Sequence, residues 1–376
     1  MSRALFPAVF LLAFVTVSAH CEEGTETTSI RLTLPPTGYA VVGAEMNVHF
    51  DNIVLSEHPE DLSFVVTSDL GTTKTNRWTV TPTEAQAGRH SWQIEVLKAG
   101  KSLAKKSMTW QVSAAKVKSP KDASLLIVGD SLTSATLYPN ELSKRLGESG
   151  LSKSTFLGTH VPGNASPGVA HEGYGGWTWH RFVTHYSPDS DALGTKRISP
   201  FVFLEGDRPK LDVPRYVRES LMGANPDFVV FFLGINDCFG ADPSSVSKTD
   251  RRIDEMFHYA DLLVRDFRAA VPKARIGICL TPPGNFRQSS FQIDYKDAYT
   301  RWGWKRIQHR VVERQLEKHG AEQTALAPLD IVPIELNLDP VDGFPDNNSV
   351  HPNAVGYTQI AASIHAWMMS RLTADE

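Results

Sequence analysis

The chain has 376 residues, enough for two domains, and its 41% hydrophobic and 21% charged residues are ordinary for a soluble globular protein. A net charge of −4, with no Lys/Arg block, excludes an electrostatic nucleic-acid binder. Three cysteines, Cys21, Cys238 and Cys279, are too few for a disulfide scaffold, so a large apolar core must hold the fold.

Residues 1–19 read as a signal peptide: Arg3 gives a positive start, an apolar run follows, and Val17-Ser18-Ala19 ends it with small residues. The run is shorter than the about 20 residues that span a bilayer, and no later stretch is long enough to cross one. The mature protein is expected to begin near His20 and to be secreted or periplasmic. A lipid anchor on Cys21 would need a small residue before it, where His20 stands, so none is expected.

Residues 26–115 read as an accessory β-sandwich domain. Ile30, Leu32 and Leu34 alternate with polar positions, as do Met46, Val48 and Phe50, then Trp92, Ile94 and Val96, then Trp110 and Val112. Period-two patterning marks strands with one buried face. Turn signals such as Pro35-Pro36, Asp69-Leu70-Gly71 and Ala99-Gly100-Lys101 separate them. No Ser, His and carboxylate cluster lies here, so structural support is the expected role, with binding as the alternative.

After a polar linker, residues 120–376 change to β/α alternation. Strands are expected at 124–128, 228–233, 276–280 and 325–331, and helices at 139–146, 251–270, 299–318 and 354–372. The pattern predicts an α/β, doubly wound parallel sheet, whose site forms beyond the carboxyl ends of its strands. The polar motifs fall at such places. Gly129-Asp130-Ser131-Leu132 follows the first strand, and Gly234-Ile235-Asn236-Asp237 follows the run at 228–233. Gly173-Tyr174-Gly175-Gly176-Trp177 lies between them, and Asn348-Ser349-Val350-His351-Pro352-Asn353 precedes the last helix.

These residue types suit acyl transfer. A serine hydroxyl is a weak nucleophile until a base takes its proton, and His351 titrates in the range where it can do so. A tetrahedral intermediate needs donors for its oxyanion. The N–H groups of Ser131 and Gly176 and the Asn236 side-chain amide are the candidates.

The four motifs resemble, in family order, the blocks of the SGNH hydrolases, also called GDSL esterases, with Ser131, Gly176, Asn236 and His351 at the naming positions. The resemblance covers residues 122–376 and implies a serine esterase of carboxylic esters that needs no cofactor. The family usually carries Asp three residues before the histidine, where this chain has Asn348. The resemblance then implies a Ser–His dyad oriented by Asn348 or a backbone carbonyl, or a modified triad in which Asp346 reaches in, or an inactive site. An accessory β-sandwich on an exported domain of this type resembles carbohydrate esterases, and Trp177 and Trp179 are candidate sugar-stacking residues, with core packing as their other reading. An O-acetylated carbohydrate is therefore the expected substrate. The alternatives are a lipase or lysophospholipase-type acyl hydrolase, an acyltransferase, and a carbohydrate-binding protein on a degenerate hydrolase fold. No metal is expected, since the spacing of His160, His171, His180 and His185 matches no ligand motif. Cys238 and Cys279 are read as buried thiols, with a bridge as the alternative.

Overall fold

The computed structural model describes residues 30–187, 198–296, 298–320 and 329–374. The expected signal peptide and Cys21 lie outside the described residues.

The first part of the chain forms β1 (Thr37–Val41), β2 (Met46–His49), a short helix α1 (Phe50–Ile53), β3 (Leu62–Ser68), β4 (Thr72–Thr73), β5 (Arg77–Val80), β6 (Gly88–Lys98) and β7 (Lys101–Ser113). A four-stranded sheet, β1-β7-β6-β3, faces a three-stranded one, β2-β5-β4. Trp78 from one sheet meets Trp92 and Trp110 from the other, with ring centroids 5.9 and 5.2 Å apart. All three rings are buried, and they fill the space between the sheets that the alternating pattern predicts.

Two expectations fail locally. Ile30, Leu32 and Leu34 form no strand; Leu32 makes one isolated bridge to Val54. Leu34 is buried all the same, so the alternation there reports burial without pairing, and Pro35-Pro36 lack the N–H groups a ladder needs. Phe50 opens α1 instead of extending β2.

The second part contains β8 (Asp122–Gly129), α2 (Ser131–Ser134), α3 (Leu137–Glu148), β9 (Lys153–Leu157), β10 (Glu172–Gly173), α4 (Trp179–Thr184), a hairpin of β11 (Val202–Glu205) and β12 (Arg208–Leu211), α5 (Val213–Arg215), β13 (Phe228–Phe232), α6 (Ile235–Cys238), α7 (Val246–Ala270), β14 (Arg275–Cys279), α8 (Gln288–Tyr295), α9 (Arg301–His319), β15 (Leu329–Val332), α10 (Ile334–Asn337) and α11 (Ala354–Leu372). Strands β8, β13, β14 and β15 pair in parallel in that order, and β9 and β10 share the far side of β8. Leaving aside the two-residue β10, the sheet in order of appearance runs second, first, third, fourth, fifth, the flavodoxin-like doubly wound arrangement. Its switch point lies between the carboxyl ends of β8 and β13.

Strand β13 is buried along its whole length, as a central parallel strand covered on both faces must be. Helix α7 lays Ile253, Met256, Phe257, Ala260, Leu263, Val264 and Phe267 on one face of the sheet, at helical spacing. On the opposite face α3 and α11 pack together. Helix α11 is apolar nearly all round because it lies between the sheet and β1, β7 of the first part.

The two parts thus share apolar core: Tyr39 and Val41 pack with α3 and α11, while Leu336 and Ala362 join the tryptophan core. Polar ties reinforce this. Asn52 Nδ2 donates to Glu335 O at 2.7 Å and Leu338 O at 2.8 Å, and Lys305 Nζ pairs with the Asp51 carboxylate. The first part therefore braces α10, which begins the segment leading to His351.

Glu335 in that brace is fully buried, and neither carboxyl oxygen has a hydrogen-bond partner among the described residues. Burial pushes its carboxyl from the ordinary 4.5 up to about 8, with the nearby N–H groups of Glu335 and Leu336 offsetting part of that. Between those values the folded state holds a proton that the unfolded state has released, so this group's contribution to stability falls as pH rises from about 4.5 to about 8. Glu335→Gln is expected to raise unfolding stability at pH 8 by about 2–4 kcal/mol and to change it little at pH 4. Urea unfolding of both proteins at the two pH values checks this.

Candidate active site

The β8–α2 turn places Ser131. Asp130 caps the short helix, its Oδ1 accepting the Leu132 N–H at 3.0 Å, so Ser131 becomes the first helical residue. An N–H there has no partner within the helix. The turn is tight: a Cβ on Gly129 would lie 1.9 Å from Thr133 Oγ1, and one on Gly173 would lie 2.5 Å from Thr133 Cγ2. The glycines ending β8 and β10 are thus where the Thr133 side chain fits.

The loop before α11 places His351. Its Nε2 lies 2.9 Å from Ser131 Oγ. Asn348 Oδ1 accepts the N–H of His351 at 2.8 Å and of Val350 at 3.1 Å, and lies 3.3 Å from His351 Nδ1. Two backbone donors require that atom to be the amide oxygen. An oxygen facing Nδ1 favours the tautomer with Nδ1–H, which leaves the Nε2 lone pair for the serine proton. Burial lowers the pKa of His351, and the negative charge of Asp294 opposes the shift.

Asn236, at the start of α6, lies where β13 ends. Its Nδ2 donates to Trp177 O at 3.1 Å, tying it to the loop that contains Gly176. Gly176 has φ of +71°, and nothing lies within 4 Å of a Cβ added there, so the side where a side chain would stand is open. Ser131, Asn236 and His351 are half-buried, and Gly176 is exposed. The structure therefore gathers Ser131, Asn236 and His351 at the switch point of the sheet, with the Gly176 loop tied to Asn236.

Two buried carboxyls support this floor. Asp237 accepts the Trp179 N–H at 3.1 Å, holding the start of α4 against α6. Burial pushes both Asp237 and Asp130 up to about 7.

Two candidate roles are corrected, those of the two tryptophans and of Asp346. Trp177 and Trp179 are 3% and 2% exposed and pack against Tyr174, Phe182 and Phe231; they are core residues in which aromatic area outweighs proximity to the motif. Asp346 does not reach in: it is 86% exposed, and its Oδ1 pairs with Arg287 Nε at 3.1 Å. The loop turns through Asn348, which holds the backbone itself and leaves Asp346 outside. Cys238 and Cys279 are both free and buried, and burial raises each thiol. His160 and His171 lie edge to face, with centroids 5.1 Å apart, and the His180 ring packs at a tilt against Tyr259, centroids 4.4 Å apart. Among the described residues no group of His, Cys, Asp and Glu could hold a metal, and no helix is long and apolar enough to cross a membrane.

Sequence reasoning missed the groups that hold the histidine loop. Asn285 Nδ2 donates to Asn348 O at 2.9 Å and Pro345 O at 2.9 Å, while its N–H reaches Ser349 O at 2.8 Å. Asp294 Oδ2 accepts from Ser349 N at 2.7 Å and Ser349 Oγ at 2.5 Å. Also missed were Phe239, Tyr295 and Tyr299, half-buried rings with centroids 5.0 to 5.4 Å apart. Phe239 immediately follows α6 and Tyr295 follows Asp294, so this cluster adjoins both the Asn236 and the His351 segments. No sequence motif marks these residues; only the fold brings them together.

Asn348→Asp tests the histidine's support. An aspartate keeps both backbone bonds and sets a negative charge facing Nδ1, so kcat/KM is expected to hold or rise and its ascending pH limb to move to higher pH. A large loss in the measured pH–rate profile would show that the neutral amide has a role of its own.

No family model and no curated protein matches the chain. Solved structures similar to it include an acetyl esterase mutant with acetate ion, at 19% identity over 68% of this chain and 100% of that one, with a TM-score of 0.42. A carbohydrate esterase family 3 from Talaromyces cellulolyticus is 19% identical over 68% of this chain and 99% of that one, TM-score 0.40. A Clostridium thermocellum family 3 carbohydrate esterase is 16% identical over 67% and 98%, TM-score 0.38.

Proposed function

We propose that the protein is an exported serine esterase that removes O-acetyl groups from a carbohydrate, using Ser131 and His351 as a dyad with Asn348 orienting the imidazole. The observation that carries this reading is the 2.9 Å approach of His351 Nε2 to Ser131 Oγ with the Asn348 oxygen on the far nitrogen. Burial that lowers the histidine's pKa keeps it unprotonated, and so ready as a base, at neutral pH.

Ser131 Oγ attacks the ester carbonyl as its proton passes to Nε2. The oxyanion is met by the N–H groups of Ser131 and Gly176 and by the Asn236 amide, whose position the Trp177 carbonyl fixes. Collapse expels the alcohol, which takes the proton from the imidazolium. Water activated by the same histidine then releases the acid. The serine's proton leaves with the alcohol, a proton from the attacking water passes through the histidine back to Ser131, and no cofactor is drawn on.

Buried Trp177 and Trp179 leave the carbohydrate to other aromatic faces. Phe239, Tyr295 and Tyr299, in segments that adjoin those of Asn236 and Asp294, are the candidates, and a sugar's C–H face stacks well on such rings. The bracing of α10 supports a structural role for the β-sandwich.

The test is serine-dependent hydrolysis of p-nitrophenyl acetate and octanoate, with fluorophosphonate labelling alongside. Labelling with acetate preference supports the reading and directs the search to acetylated polysaccharides. Octanoate preference moves it to a lipase-type enzyme. Neither turnover nor labelling makes it a carbohydrate-binding protein on a hydrolase fold, the reading that the neutral Asn348 favours.

A further inference from the structure

A serine–histidine pair that lacks a carboxylate behind its imidazole has little to balance the positive charge formed when the serine proton arrives. We propose that Asp294, on α8, is the positioning residue that meets this need, fixing the loop that carries His351 and setting a negative charge beside it. The inference rests on the esterase reading of the same site.

The geometry is specific. Ser349 lies between Asn348 and Val350-His351 and is fully buried. Its N–H and hydroxyl both donate to Asp294 Oδ2, at 2.7 and 2.5 Å, and bonds to a charged acceptor are the strong kind. From the other side Asn285 takes the carbonyls of Asn348 and Ser349. The peptide two residues before His351 is therefore held by a carboxylate on one edge and an amide on the other. A nucleophile–base contact tolerates little slack, since misplacement by about 1 Å lowers rates by about 10²-fold.

The charges around the imidazole leave Asp294 as the acting one among the described residues. In the same loop, Asp346 is paired with Arg287 and faces solvent. From the β8–α2 turn and α6, Asp130 and Asp237 are buried and pushed up to about 7. On α8, Tyr295 is raised by burial and stays neutral. The first turn of α11, residues 354–358, carries no charged side chain. The field of Asp294 favours the protonated imidazole, and its exposure to water moderates that field.

The test combines pH–rate profiles with an NMR titration of the His351 ring, using the whole mature protein. Asp294→Asn is expected to lower the kcat/KM plateau for p-nitrophenyl acetate about tenfold and to move its ascending limb to lower pH. Ser349→Ala, which removes one bond but keeps the charge, should lower the plateau and leave the limb in place. Asp294→Glu, should the asparagine variant not fold, should keep the limb and lose part of the plateau; wild-type behaviour in both respects overturns the proposal. An Asp294→Asn plateau that falls with no movement of the limb leaves a loop clamp alone and overturns the electrostatic role. The NMR midpoint is read in Ser131→Ala, where no turnover is needed. It should fall on adding Asp294→Asn, and an unmoved midpoint overturns the proposal even if the enzyme is active. A moved midpoint in a protein without serine-dependent hydrolysis would instead sink the esterase reading.

Discussion

Ser131→Ala is expected to lower kcat/KM for p-nitrophenyl acetate by at least about 10³-fold, and His351→Ala to do nearly the same. The double variant should lose hardly more than either single one. The physical reason is that neither side chain does useful work alone: the hydroxyl needs a base 2.9 Å away to take its proton, and the base needs that hydroxyl as its proton source. Residual rate over water would come from the oxyanion donors, which both variants keep. Purified variants assayed in parallel, with folding checked by circular dichroism, decide the matter. Additive losses would mean that Ser131 and His351 act in separate steps. No loss at all would remove the dyad.

The second large effect is expected at a residue with no chemistry of its own. Gly129→Ala places a methyl 1.9 Å from Thr133 Oγ1, 2.7 Å from Thr133 Cβ and 3.2 Å from the Phe232 carbonyl oxygen. Thr133 cannot step aside: it is fully buried, its hydroxyl bonds Tyr138 OH at 2.6 Å, and it already abuts Gly173. Overpacking of this kind costs about 1–3 kcal/mol and occasionally more. Relief by shifting α2 would carry Ser131 with it, so the activity loss of the folded fraction should be about 10²-fold. Urea unfolding and kcat/KM of the same preparation measure the two effects separately. Full activity at wild-type stability would show that the turn has room the geometry denies.

The fold was largely legible because burial leaves a periodic trace. The apolar run at 228–233 could only be a strand covered on both faces, and the spacing of Ile253, Met256, Ala260, Leu263 and Phe267 could only be one face of a helix. Reading failed where burial and pairing part company. Ile30, Leu32 and Leu34 alternate yet pair only at one bridge, and Trp177 and Trp179 lie next to a motif glycine yet pack inward. A residue's neighbours in sequence say that it is near the site, not which way its side chain points.

By itself the sequence determined the four motif residues, their order, and their places after strands or before the last helix. Local chemistry sufficed for that, because a turn glycine, a capping aspartate and an apolar strand are short-range signals. Tertiary structure alone decided what stands behind the histidine. Asn348 was legible as a departure, but not that its oxygen would hold two backbone N–H groups while facing Nδ1, nor that Asp346 would pair outward with Arg287. Asn285 and Asp294 lie 63 and 55 residues from the groups they hold, on a loop and helix beyond a different strand. Hydrogen bonds between such segments depend on how the sheet orders its strands, and that order is set by the packing of the whole core, which no local stretch of sequence encodes.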